Sequence, residues 1–225
     1  RAELVRRYLA AYGDGDWRNL QLPVTEVRRL AKPDLAPVIR ECWNAPHSNG
    51  EVDELLLKLI WLGAIDACAD IAAGVAMDQL RSKVARILAI RAIAACGKTS
   101  DLRRVSSDML TNGESWPDSV IYHAIDDLFP SVLTVDEVGQ LIRDTPEPNK
   151  TIDGFAWALY QLAGQLDVRS VGDELRTLLT DMIWQGRTEP LEWNNPQSAF
   201  GYLCPALLKV CLRQLEAEAD PAVSL

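Results

Sequence analysis

Apolar residues recur at three- and four-residue steps through most of the chain. Leu55, Leu56, Leu59, Ile60 and Leu62 form one such run, and Leu159, Leu162 and Leu166 another. Val84, Ile87, Leu88 and Ala95 form a third, with Arg91 at its edge. This spacing lays a stripe along one face of an α-helix, while the strict alternation of a half-buried strand is nearly absent. The interruptions are helix punctuation. Asp53, Asp78, Ser100, Asp118, Thr134, Thr151 and Asp167 stand where N-caps or first-turn residues are expected, and Thr134 with Glu137 has capping-box spacing. Gly50, Gly97, Gly113 and Gly186 fall at helix ends, where a positive φ is cheap. Pro33, Pro117, Pro130 and Pro146 stop one helix or start the next. The pattern predicts an all-α fold.

The helices repeat. Trp61-Leu62-Gly63-Ala64, Ala95-Cys96-Gly97-Lys98, Leu128-Phe129-Pro130-Ser131 and Leu162-Ala163-Gly164-Gln165 align as turns, and Gly63, Gly97, Pro130 and Gly164 are spaced by 34, 33 and 34 residues. Apolar pairs follow the first three turns at fixed offsets: Cys68 with Ile71, Leu102 with Val105, Val135 with Val138. Val168 with Val171 come one residue early in the fourth, and Leu35 with Val38 follow an earlier turn at Leu30. An antiparallel helix pair cannot bury its apolar stripe alone, so successive pairs are expected to stack into one elongated core. The expected pairs are 22–44, 51–74, 79–111, 118–144 and 152–185, with a terminal helix over 197–217. The whole of 1–225 is expected to be one α-solenoid domain with a period of about 34 residues. Residues 1–11 already read as an amphipathic helix of a preceding unit, so the chain is expected to be a piece of a longer protein.

These units resemble HEAT or armadillo-type repeats, in the degenerate form found in large bacterial multidomain proteins. The resemblance covers about 22 to 185 and rests on the period and on the small turn residues Gly63, Gly97 and Gly164. The tetratricopeptide pattern of a large aromatic, a Gly-Tyr pair, Ala and Pro at set offsets does not lie onto successive units. The resemblance implies a curved stack whose second helices line a recognition groove. Similar arrays act as sensor or oligomerisation arms beside NTPase switch domains of the NACHT or STAND type.

Composition narrows the functional classes. Hydrophobic residues make up 48% of the 225, enough for a substantial core, with seven Trp against three Phe. The 23 basic residues face 32 acidic ones, a net charge of −9. Nucleic-acid binding depends on Lys and Arg displacing counterions from phosphates, so this balance disfavours nucleic acid and anionic membranes as partners. The close basic residues Arg28, Arg29 and Lys32 read as a solvated helix face. No apolar run is long enough to span a bilayer; the best, Leu55 to Met77, is broken by Lys58, Asp66 and Asp70. The cysteines Cys42, Cys68, Cys96, Cys204 and Cys211 are odd in number and lack C-x-x-C spacing, which fits small buried thiols in a reducing, cytoplasmic compartment.

Candidate chemistry is sparse. Cys96-Gly97-Lys98-Thr99 mimics the end of a phosphate-binding loop, but Ala92 stands where its first glycine belongs and a helix, not a strand, precedes it. His47 and His123 are the only histidines, and neither has metal-ligand spacing. Cys204 and Cys211 stand two turns apart on one helix, about 10 Å at the α-helical rise, too far for a disulfide. The expectation is therefore no enzyme, no cofactor and no metal. The acidic positions Asp66, Asp70, Asp136 and Glu137 read first as solvated ridges; on one face they would favour a basic partner. Trp184 to Pro196 is the longest loop-like stretch, rich in Trp, Arg and Pro, and Arg187 and Trp193 are hot-spot residue types.

The expected function is a non-catalytic protein–protein interaction or scaffolding module. Asp66, Asp70, Arg103, Arg104, Asp136, Glu137, Arg187 and Trp193 are its candidate contact residues. The alternatives are the sensor arm of a NACHT/STAND-type NTPase and a HEAT-like DNA-processing enzyme. The latter needs a basic groove that the acidic composition argues against.

Overall fold

The computed structural model describes residues 1–13, 22–145, 155–184 and 200–219. Among them are twelve α-helices and no strand: α1 (Ala2–Tyr12), α2 (Val24–Leu30), α3 (Ala36–Asn44), α4 (Gly50–Gly63), α5 (Ala69–Met77), α6 (Lys83–Ala95), α7 (Thr99–Thr111), α8 (Asp118–Leu128), α9 (Val135–Asp144), α10 (Phe155–Gln165), α11 (Val168–Trp184) and α12 (Cys204–Ala219). The all-α expectation holds. Short 3-10 turns lead into α3, α5 and α12. No described helix is long and apolar enough to cross a membrane.

Contacts divide the chain into two units, Arg1–Asp108 and Met109–Leu225. In unit 1, α6 packs on both α4 and α5, α2 packs on α4, and α1 packs on α3. Small side chains explain the close seating of α6 on α5. Ala72, Ala73 and Ala76 meet a helix carrying Ala85, Ala89 and Ala92, all buried. Leu56, Leu57, Leu59, Ile60, Ile90 and Ile93 fill the space that remains. Arg86 is also shut in, 2% exposed, and its Nε donates to the Ala76 carbonyl at the end of α5. Cationic donors are favoured at such helix C-termini. In unit 2, α8 packs on α10, α9 packs on α11, and α12 packs on both α10 and α11.

The turns show where sequence punctuation works and where it misleads. Gly97 follows α6 with φ +66°, the left-handed conformation glycine adopts without strain. After α4 the left-handed residue is instead Ala64, at φ 46°. Gly63 is there for space: a Cβ on it would stand 2.9 Å from Ile65 Cγ1 and 3.1 Å from the Ala31 backbone carbon. Thr134 and Glu137 form the expected capping box at α9, and Asp167 caps α11 by accepting the Arg169 N–H. Asp53 lies in the first turn of α4, and Asp78 is not an N-cap. Asn49 caps α4 and Ser82 caps α6, which leaves both aspartates to ion pairs. Gly50 opens α4 rather than closing a helix.

Candidate functional site

The acidic positions singled out in the sequence divide into two kinds. Asp70, at the start of α5, receives both arms of Arg40 from α3, with Nη2···Oδ1 2.5 Å and Nη1···Oδ2 3.0 Å. The guanidinium holds the Asp70 carboxyl below its ordinary range, chiefly through this hydrogen bond. Asp66, in the turn before α5, pairs with Lys98 at 2.6 Å. Glu41 on α3 takes Arg6 of α1 the same way, with Nη2···Oε2 2.8 Å. Unit 1 thus cross-links its helices with ion pairs about one helix pair apart in sequence. Asp66 and Asp70 sit on the surface, but their charge is already answered.

A second, more buried group was not foreseen. His47 lies in the loop between α3 and α4 with its side chain 9% exposed. Its Nδ1 meets the Ala45 carbonyl at 2.8 Å and its Nε2 meets Asp53 Oδ1 at 2.8 Å. Arg81 donates to Asp53 Oδ2 at 2.6 Å and to Asp78 Oδ2 at 3.3 Å, and lies over the Trp43 ring. The loop is also tied to the end of α1, where Ser48 and Asn49 donate backbone N–H groups to the Gly13 carbonyl. This constellation holds four chain segments together.

In unit 2 a groove of about 940 Å³ lies between α9 and α11. Thr134, Val135, Asp136 and Arg143 form one wall, and Asp173, Glu174, Thr177, Leu178, Asp181 and Met182 the other. Val135, Leu178 and Met182 are buried and make an apolar floor, while the charged side chains stand exposed around it. The helices approach closely at Gly139, where a Cβ would lie 2.6 Å from Leu178 Cδ1. Asp173 is engaged by Arg176 at 3.0 Å and by Gln214 of α12 at 2.8 Å. Among the described residues, Asp136, Glu174 and Asp181 enter no ion pair, and Arg143 is the one cation on the lining. The groove therefore presents uncompensated negative charge over an apolar floor.

Of the sequence candidates, Asp136 lines this groove. Glu137 does not: its carboxylate accepts the Thr134 N–H at 2.7 Å and stabilises the helix start. Arg103 and Arg104 are exposed on α7, Arg104 beside Asp101 at 3.5 Å. Arg187 and Trp193 lie outside the described residues. Glu174 and Asp181 were missed, although Glu174, Thr177 and Asp181 recur at the three- and four-residue steps of one helical face.

Other chemistry is muted. Burial pushes the Cys42, Cys68 and Cys96 thiols up, away from the reactive thiolate. Among the described residues no group of three or more His, Cys, Asp or Glu side chains could hold a metal ion. Comparison of the chain with protein-family models, curated proteins and solved structures gave no match.

Proposed function

We propose that this chain is a non-catalytic protein–protein interaction module, a HEAT-like array of helix pairs that receives a basic, partly apolar segment of its partner in the groove between α9 and α11. The carrying observation is the set of unpaired carboxylates Asp136, Glu174 and Asp181 around the floor of Val135, Leu178 and Met182. Lys or Arg side chains would meet the rim while aliphatic ones reach the floor. Such pairings contribute chiefly specificity and association rate. The stacking reading is supported separately in each unit: like packs on like, α2 on α4 and α1 on α3, then α8 on α10 and α9 on α11. This groove and a smaller one of about 370 Å³ between α3 and α5 each lie between helices that are second in their expected pairs.

The test is fluorescence anisotropy with a labelled helical peptide of lysines and leucines. The parent chain is expected to bind it with strong salt dependence. A variant carrying Asp136→Lys, Glu174→Lys and Asp181→Lys should bind at least about tenfold more weakly, the loss of roughly 1.4 kcal/mol. A control with Asp34→Lys, Glu114→Lys and Glu218→Lys changes the net charge equally. Equal weakening in the control, or no binding by the parent, would overturn the groove as the site.

A further inference from the structure

Charges on this chain are unevenly answered. Arg6, Arg7, Arg40 and Lys98 of unit 1 are each held by a carboxylate. Arg28 of α2 and Lys32 just beyond its end are exposed and, among the described residues, enter no ion pair. Arg29 beside them shares Glu26 at 3.0 Å. Helix α2 packs on α4 and turns Val27 inward, 0% exposed. Its outer face carries Val24, Thr25, Arg28 and Arg29, two pairs one turn apart. Val24 is 45% exposed. The face is therefore basic and partly apolar.

The groove between α9 and α11 presents the complement, with Asp136, Glu174 and Asp181 around a floor of Val135, Leu178 and Met182. The lengths agree as well. Helix α2 has seven residues, about 10 Å at the helical rise, and the α9 wall from Val135 to Arg143 runs about 12 Å. Resting on the reading of that groove as a binding site, we propose that α2 of one copy of this chain docks by its outer face in the α9/α11 groove of another copy. Val24 meets the apolar floor, while Arg28 and Lys32 meet the carboxylates on the rim. Two different patches meet, so the contact is heterologous and links each copy to the next. The net charge of −9 on each copy is screened beyond about 8 Å at physiological salt, which leaves the charges at the contact to decide. Further salt weakens the contact itself.

Sedimentation equilibrium of the 225-residue chain near physiological salt tests this. The mean molar mass of the parent should rise with concentration. A face variant, Arg28→Glu with Lys32→Glu, should associate at least about tenfold more weakly. So should a groove variant with Asp136→Lys, Glu174→Lys and Asp181→Lys. An equimolar mixture of the two should associate again, because each reversed surface then meets a reversed complement and each intact surface an intact one. The face variant keeps its groove and should bind the lysine–leucine peptide as the parent does, which also shows that it is folded. A parent that binds the peptide but stays monomeric overturns the self-docking and leaves the groove reading standing; a parent that does neither overturns both. Association that survives either reversal, or a mixture that stays monomeric, also overturns the proposal.

Discussion

Arg40 on α3 grips Asp70 on α5 with two nitrogens, at 2.5 and 3.0 Å from the two carboxylate oxygens. The pair joins alternate helices of unit 1, α3 and α5, as Arg6 and Glu41 do between α1 and α3. Both carboxyls are held below their ordinary values, chiefly by the guanidinium hydrogen bonds. A carboxylate lowered in the folded state adds stability that is fully present above its unfolded value, about 4, and is lost as pH falls through the folded value. Asp70→Asn should therefore flatten the acid limb of stability, with its urea midpoint meeting that of the parent at low pH. The Asp70 side chain is 64% exposed, so water screens the pair and the effect is small. Parallel pH profiles for parent and variant would show that the pair contributes nothing.

Asp53 carries a heavier structural role. It accepts from Arg81 at 2.6 Å and faces His47 Nε2 at 2.8 Å, with its side chain 12% exposed. Removing it takes one partner from the Arg81 guanidinium, which keeps Asp78, and leaves His47 Nε2 unanswered while Nδ1 keeps the Ala45 carbonyl. Leaving such groups without a partner costs about 1–3 kcal/mol each when burial is complete, and Arg81 retains solvent access. Asp53→Ala should lower stability by about 2 kcal/mol in urea unfolding. His47→Ala should increase proteolytic cleavage near 45–49, because that loop loses a tie to α4. Unchanged cleavage would assign the loop's order to the Gly13 contacts alone.

Ala64 after α4 and Gly97 after α6 both have positive φ, 46° and 66°. An L-residue in this conformation costs about 1–2 kcal/mol. Substitution should act in opposite directions at the two sites. Ala64→Gly should stabilise by several tenths of a kcal/mol or more, while Gly97→Ala should destabilise by about 1 kcal/mol. Nothing lies within 4 Å of a Cβ built at Gly97, so crowding does not confuse the reading. Thermal midpoints moving in the same direction would contradict the backbone argument.

The helices were legible because an amphipathic stripe is a local property. The range 118–144 begins with α8 and ends with α9, and 79–111 contains α6 and α7. The use of each charge was less legible, because it depends on a partner about one helix pair away. Arg40 and Asp70 are 30 residues apart, and Arg6 and Glu41 are 35. Opposite charges 30 to 35 residues apart would have marked Asp70 as engaged. Asp53 falls in the first turn of α4, as its place in the sequence indicated, with Asn49 as the cap; what the local sequence does not show is that its burial depends on Arg81 in a later loop. Glu137 has capping-box spacing in the sequence, and its carboxylate takes that role at the start of α9.

Thr134 connects helix capping to the proposed binding. Its Oγ1 accepts the Glu137 N–H at 3.2 Å, Glu137 returns a contact to the Thr134 N–H, and the turn so fixed carries Asp136 on the groove wall. Thr134→Val keeps the shape and loses the hydroxyl, which should destabilise the chain by about 1 kcal/mol. It should also weaken binding of the lysine–leucine peptide several-fold without removing any charge, because a frayed first turn no longer holds Asp136 in place. Thr134→Ser keeps the cap and should restore both properties. Anisotropy titrations beside urea unfolding separate the two effects. A variant that loses stability but binds as the parent does would place the peptide along α11 alone, on Glu174 and Asp181, with the start of α9 outside the site.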